Sequence, residues 1–147
     1  MAGNEMTAAQ ATELYSQGFH CSQVVLAHAA KELNLDPQTA YRISAGFGGG
    51  LFLGNVCGCV AGAVMALGLA YGHDKPNDTE VSAEMTEKTL EFQRRFAEEN
   101  GSVICRELIK YDFGVPGDLE KARESGVMAA LCPRLAASAC AILDKML

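Results

Sequence analysis

The 28 residues from Ala45 to Gly72, AGFGGGLFLGNVCGCVAGAVMALGLAYG, contain no Asp, Glu, Lys, Arg or His. No other part of the chain is so committed to burial, and the rest must be arranged around it. Its first half carries Gly46, Gly48, Gly49, Gly50 and Gly54. Glycine at that density adds backbone entropy that a helix or strand interior would have to remove, so the spacing predicts a loop. The second half, Val56 to Tyr71, is dense in Ala, Val, Leu and Met and predicts a helix that Asn55 can cap. Gly58, Gly62, Ala66 and Ala70 recur every fourth residue, a small-residue stripe against which another backbone can pack. A membrane span needs roughly 20 apolar residues and no unpaired backbone groups. The glycine loop fails that test, so the expectation is a buried central helix and no membrane span.

The flanking segments read as helices too. Thr7 and Gln10 form a capping-box pattern for a helix running to about Gln17 and closed by Gly18. Ser22 can cap a second helix carrying Val25, Ala29 and Leu33 and stopping near Asn34. Asp36-Pro37 starts a short helix through Ser44. Beyond the polar connection His73 to Asp78, residues Val81, Met85, Phe92 and Phe96 share one face of a strongly amphipathic helix ended by Asn100-Gly101. Ser102 can cap a short helix with Cys105, Leu108 and Ile109. Asp112 to Gly117 predicts a turn, Asp118 to Gly126 a charged helix, and Pro133 the first turn of a last helix through Leu143. Period-two alternation is scarce. The expectation is an all-α chain, one domain over residues 1–147, with about seven helices packed around the central one.

With 147 residues and 49% apolar content the chain can bury a core without disulfides. A net charge of -6 with scattered Lys and Arg argues against nucleic acid. The first ten residues lack the basic and apolar segments of a signal peptide, so the expected location is cytoplasmic.

Six cysteines are more than packing alone would place in such a chain. Cys140, among Ala137, Ala139 and Ala141, reads as a small core residue. Cys21, Cys57, Cys59, Cys105 and Cys132 fall instead at predicted helix starts, where amide N–H groups and the dipole stabilise a thiolate. They are the candidate catalytic residues. Cys57-Gly58-Cys59 is neither the thioredoxin-like Cys-x-x-Cys nor a zinc knuckle. On one helix the two side chains point about 200° apart, so the expectation is that one of the two pairs with a distant cysteine or that both face a shared site. His20 beside Cys21 either supports a thiolate or is a surface histidine in a turn. Amides of Gly48, Gly49 and Gly50 are candidates for binding a substrate anion; the alternative is a plain turn. The loop lacks the spacing of a nucleotide-binding fingerprint.

The order Cys21, Gly46-Phe47-Gly48-Gly49-Gly50, Cys57-Gly58-Cys59-Val60-Ala61-Gly62, Cys105-Arg106-Glu107-Leu108 and Cys132 resembles the redox-active family named for its cysteine pattern, C_GCAxxG_C_C. The resemblance spans Leu14 to Leu143. It implies one cysteine before the motif, one within it and two after, here Cys21, Cys57 or Cys59, Cys105 and Cys132. Val60 stands where the pattern has alanine, and Gly62 comes one residue early if Cys59 is the motif cysteine; Cys57 is therefore preferred. The resemblance also implies a functional link to a transporter.

Three functions follow as expectations. The first is thiol–disulfide exchange in which Cys57 attacks, Cys59 or Cys21 resolves, and Cys105 and Cys132 form a second pair or relay. Its partner is a thiol- or disulfide-bearing protein or small molecule, and a homodimer is among the assemblies open to it. The second is metal binding or delivery, with Cys21, Cys57, Cys105 and Cys132 holding zinc, iron or an iron–sulfur cluster. The third is a helical interaction module with structural cysteines.

Overall fold

The computed structural model describes residues 5–147. Among them the chain forms eight α-helices and no strands: α1 (Ala8–Ser16), α2 (Cys21–Ala30), α3 (Pro37–Ser44), α4 (Gly58–Tyr71), α5 (Thr79–Asn100), α6 (Cys105–Ile109), α7 (Asp118–Ser125) and α8 (Val127–Met146). The all-α expectation holds, and each of the eight helical segments read from the sequence, the central one and seven around it, has its counterpart.

Several helix starts are written locally. The Thr7 hydroxyl accepts from the Gln10 N–H and the Gln10 side chain accepts from the Thr7 N–H, both at 3.1 Å. Asp36 accepts from the Thr39 N–H at 3.0 Å, with Pro37 in the first turn of α3. Other starts depart from expectation. His20, not Ser22, caps α2, with its N–H donating to the Gln23 side chain at 2.8 Å. Ser22 is fully buried, and its hydroxyl donates to the Ser44 carbonyl at 2.7 Å. Cys57, not Asn55, precedes the first residue of α4. The last helix begins at Val127, six residues before Pro133, because Gly126 at φ +79° ends α7 and lets α8 start at once. Proline 133 then sits inside α8, where it has no N–H to give to the Ala129 carbonyl.

The central helix packs against α2, α5 and α8. Its small-residue stripe is what lets α2 approach: Gly58 and Gly62 are buried, and a Cβ on Gly62 would lie 2.5 Å from the Ser22 carbonyl oxygen. The stripe stays buried through Ala66 and emerges at Ala70, which is exposed. Against the same helix α5 contributes Phe92 and Phe96 to the core, both fully buried, each removing apolar surface equivalent to about 2 to 3 kcal/mol. By length and composition α8 could cross a membrane; here it buries eight residues against its neighbours. The His28 imidazole of α2 and the Asp144 carboxylate of α8 are hydrogen-bonded at 2.9 Å. A smaller cluster, Cys105, Ile109 and Ala122, lies beside the main core.

Between α3 and α4 the chain makes a short 3-10 turn over Ala45–Phe47 and then a left-handed one. Gly49, Gly50, Leu51 and Phe52 have φ of +57°, +64°, +58° and +61°. This is the glycine loop, and its φ > 0 turn is as expected. Past it, Val56 and Ile104 form an isolated antiparallel bridge, with the Cys57 N–H donating to the Val103 carbonyl at 2.8 Å and the Cys105 N–H to the Asn55 carbonyl at 2.7 Å.

Candidate functional site: a cavity lined by five cysteines

Where the main core meets the smaller cluster there is a cavity of about 630 Å³, and Cys21, Cys57, Cys59, Cys105 and Cys132 all line it. Each arrives by a different route. Cys21 is the first residue of α2, and Cys57 and Cys59 flank the first residue of α4. Cys105 opens α6, tied to the Cys57 segment by the Val56–Ile104 bridge. Cys132 lies in the second turn of α8 and not ahead of its first, since Pro133 does not begin the helix. Cys140 is fully buried in the main core and does not line the cavity, as its packing reading requires. All six cysteines are free thiols.

The sulfurs are not equivalent. The Cys59 thiol is hydrogen-bonded to the side chains of both Cys21 and Cys57. That bond is the largest influence on Cys21, whose pKa falls to about 7 although burial opposes the shift. The backbone N–H groups of Gly49, Ser22 and Cys21 add to the same effect. Cys59 moves the other way, held well above an ordinary thiol by its bonds to Cys21 and Cys57 and by burial. Burial, reinforced by the neighbouring sulfurs, raises Cys132 to about 12 and pushes Cys105 and Tyr15 up as well. The cavity thus holds a thiol whose pKa is lowered, Cys21, against one whose pKa is raised, Cys59.

The three loop glycines divide. The Gly49 N–H bonds to the Cys21 sulfur, and Gly49 lines the cavity. Gly48 is packed against the His20 side chain, 2.7 Å from where a Cβ would stand. Gly50 is buried in the turn, and its carbonyl accepts from the Asn55 N–H at 3.0 Å. The His20 ring lies edge-on to Phe52 with centroids 5.1 Å apart, at the exposed rim of the cavity. Among the described residues no three His, Cys, Asp or Glu side chains converge as metal ligands. Cys21, Cys57, Cys105 and Cys132 share the cavity without forming one ligand sphere.

Sequence reasoning placed Cys21 among the candidates but preferred Cys57 as the nucleophile. The thiol whose pKa is lowered is Cys21, and the cause, a contact with the Cys59 side chain, depends on packing that no local motif shows. Tyr15, Phe113, Met128 and Arg123 also line the cavity, and no local motif points to them.

The fold and the site define an all-helical protein with five free thiols around one cavity. The chain is a member of the C_GCAxxG_C_C family, described as "Putative redox-active protein (C_GCAxxG_C_C)", whose pattern matches residues 19–146. No curated protein and no solved structure matches it.

Proposed function

We propose that the protein carries out thiol–disulfide exchange from the Cys21–Cys59 pair. The Cys21 thiolate attacks one sulfur of a disulfide; the new bond joins Cys21 to that sulfur, and the other half leaves as a thiolate. Cys59 then attacks Cys21, its proton passing to the departing second half. The protein dithiol loses two electrons and becomes a Cys21–Cys59 disulfide, and the substrate is reduced to two thiols. The observation that carries this reading is five free thiols lining one cavity, with the Cys21 sulfur packed against Gly58 in the first turn of α4, next to Cys59; the lowered pKa of Cys21 and the raised pKa of Cys59 agree with it. Cys57, bonded to the other side of Cys59, stands ready to take over the disulfide. A dithiol of this kind works in a reducing compartment, and we propose the cytoplasm.

Differential alkylation with mass spectrometry, before and after one equivalent of a small disulfide, tests the assignment. The expected product is a Cys21–Cys59 disulfide, with Cys59→Ser trapping a mixed disulfide on Cys21. Six cysteines alkylated equally in both states would remove the proposal.

A further inference from the structure

The cavity differs in charge from the chain that surrounds it. Asp and Glu number 18 against 12 Lys and Arg, yet among the described residues no carboxylate lines the cavity. One permanently charged side chain does, that of Arg123 on α7. Arg123 is exposed and forms no ion pair among the described residues, where Arg95 pairs with Glu91. The walls between Arg123 and the sulfurs are supplied by apolar side chains, among them Leu108, Ile109, Phe113, Met128 and Leu135. An unpaired guanidinium beside an apolar wall is an anchor for an anion attached to an apolar body.

Size narrows the choice further. Cys21, the attacking thiol, is only partly exposed, with Gly58 against its sulfur, and Cys57 and Cys59 behind it are 5% and 1% exposed, so a small disulfide that enters the cavity fits the site better than one fixed on the surface of a folded protein. A volume of about 630 Å³ falls inside the range of small-molecule sites, roughly 300 to 1,000 Å³.

We infer that the substrate is a small organic disulfide whose halves each have an apolar body and an anionic group, with one anion held by Arg123. This rests on the thiol–disulfide reading of the site. The exchange balances as before: two substrate thiols are released, and the Cys21–Cys59 disulfide is formed.

Stopped-flow rates of thiol release test it, with dithiobis(nitrobenzoate) as the anionic aromatic disulfide and dithiodipyridine as the neutral one. The full chain, Arg123→Gln and Arg123→Lys are compared by the ratio of anionic to neutral rate constants, which cancels any general change in the thiols. The expected result is a ratio lowered roughly two- to fivefold by Arg123→Gln, the size of an exposed ion pair, and restored by Arg123→Lys. Added salt should shrink the difference. A ratio unmoved by Arg123→Gln, with release still dependent on Cys21, would overturn the substrate class alone. Fast release from dithiodipyridine that survives in Cys21→Ser would overturn the exchange reading, and the substrate class with it.

Discussion

Gly58 lies so close to Cys21 that a Cβ at position 58 would stand 2.3 Å from the Cys21 sulfur. The first turn of α4 therefore forms part of the wall around that thiolate, and glycine is what leaves room for it. The phenylalanine carbonyl at position 47 would be 2.8 Å from the same Cβ, so there is little space on the other side. This contact joins the two halves of the site, since the residue after Gly58 is the donor Cys59.

Replacing either close-approach glycine should separate the thiol's chemistry from the packing of the helices. Gly58→Ala is expected to cost about 1 to 3 kcal/mol of stability, as overpacking does, and to displace Cys21 from its donors so that its pKa rises. Gly62→Ala meets the Ser22 carbonyl instead; it should cost a similar amount and shift the Cys21 titration less than Gly58→Ala does, since it reaches Cys21 only through the backbone of Ser22. Urea denaturation and the pH dependence of Cys21 alkylation measure the two effects separately.

The acidity of Cys21 should depend on Cys59. In Cys59→Ala the largest influence on Cys21 is gone, so the midpoint of its alkylation profile moves up from about 7 toward the ordinary thiol value of roughly 8.5. Stability should follow the same linkage. A thiol whose folded pKa is depressed contributes stability above its unfolded pKa, and the contribution is lost as pH falls through the folded value. For Cys21 that means a rise in stability between about pH 7 and roughly 8.5. Cys59, Cys105, Cys132 and Cys140 are raised; above the ordinary thiol pKa the unfolded chain ionises first, and their contribution to stability falls. Urea midpoints under reducing conditions across this range should climb and then decline in the wild type. In Cys59→Ala the climb should be absent.

Leu51 has φ +58° and is half exposed. Its side chain therefore gains little from burial while its backbone occupies a region unfavourable to L-residues. Leu51→Gly is expected to raise stability by up to about 1 kcal/mol and to leave the alkylation rate of Cys21 as it was. A thermal melt decides the first part, and a loss of stability would mean that the turn is held by this side chain.

The features legible in the sequence were those governed by near neighbours. Thr7 with Gln10 and Asp36 with Pro37 cap their helices as read, because each pair lies within one turn. Ser22 was misassigned because its hydroxyl is taken by the Ser44 carbonyl, 22 residues away. Pro133 was misassigned because a local rule about proline outweighed the apolar run that continues α8 back to Val127. The same limit applies to the site. Five cysteines near helix starts could be picked out, but the helix dipole ranks them alike, and the preference went to Cys57.

By itself the sequence determined a helical chain organised around an uncharged segment, with a glycine turn before its central helix and Cys140 set apart by its alanine neighbours. The tertiary structure decided that five sulfurs share one cavity, that Cys59 is the neighbour that lowers the Cys21 pKa, and that Arg123 lines the same cavity. Helix formation and capping act over three or four residues. A thiol's pKa depends instead on donors and charges that packing brings in from distant parts of the chain, here Cys59 and Gly49 across the contact of α2 with α4.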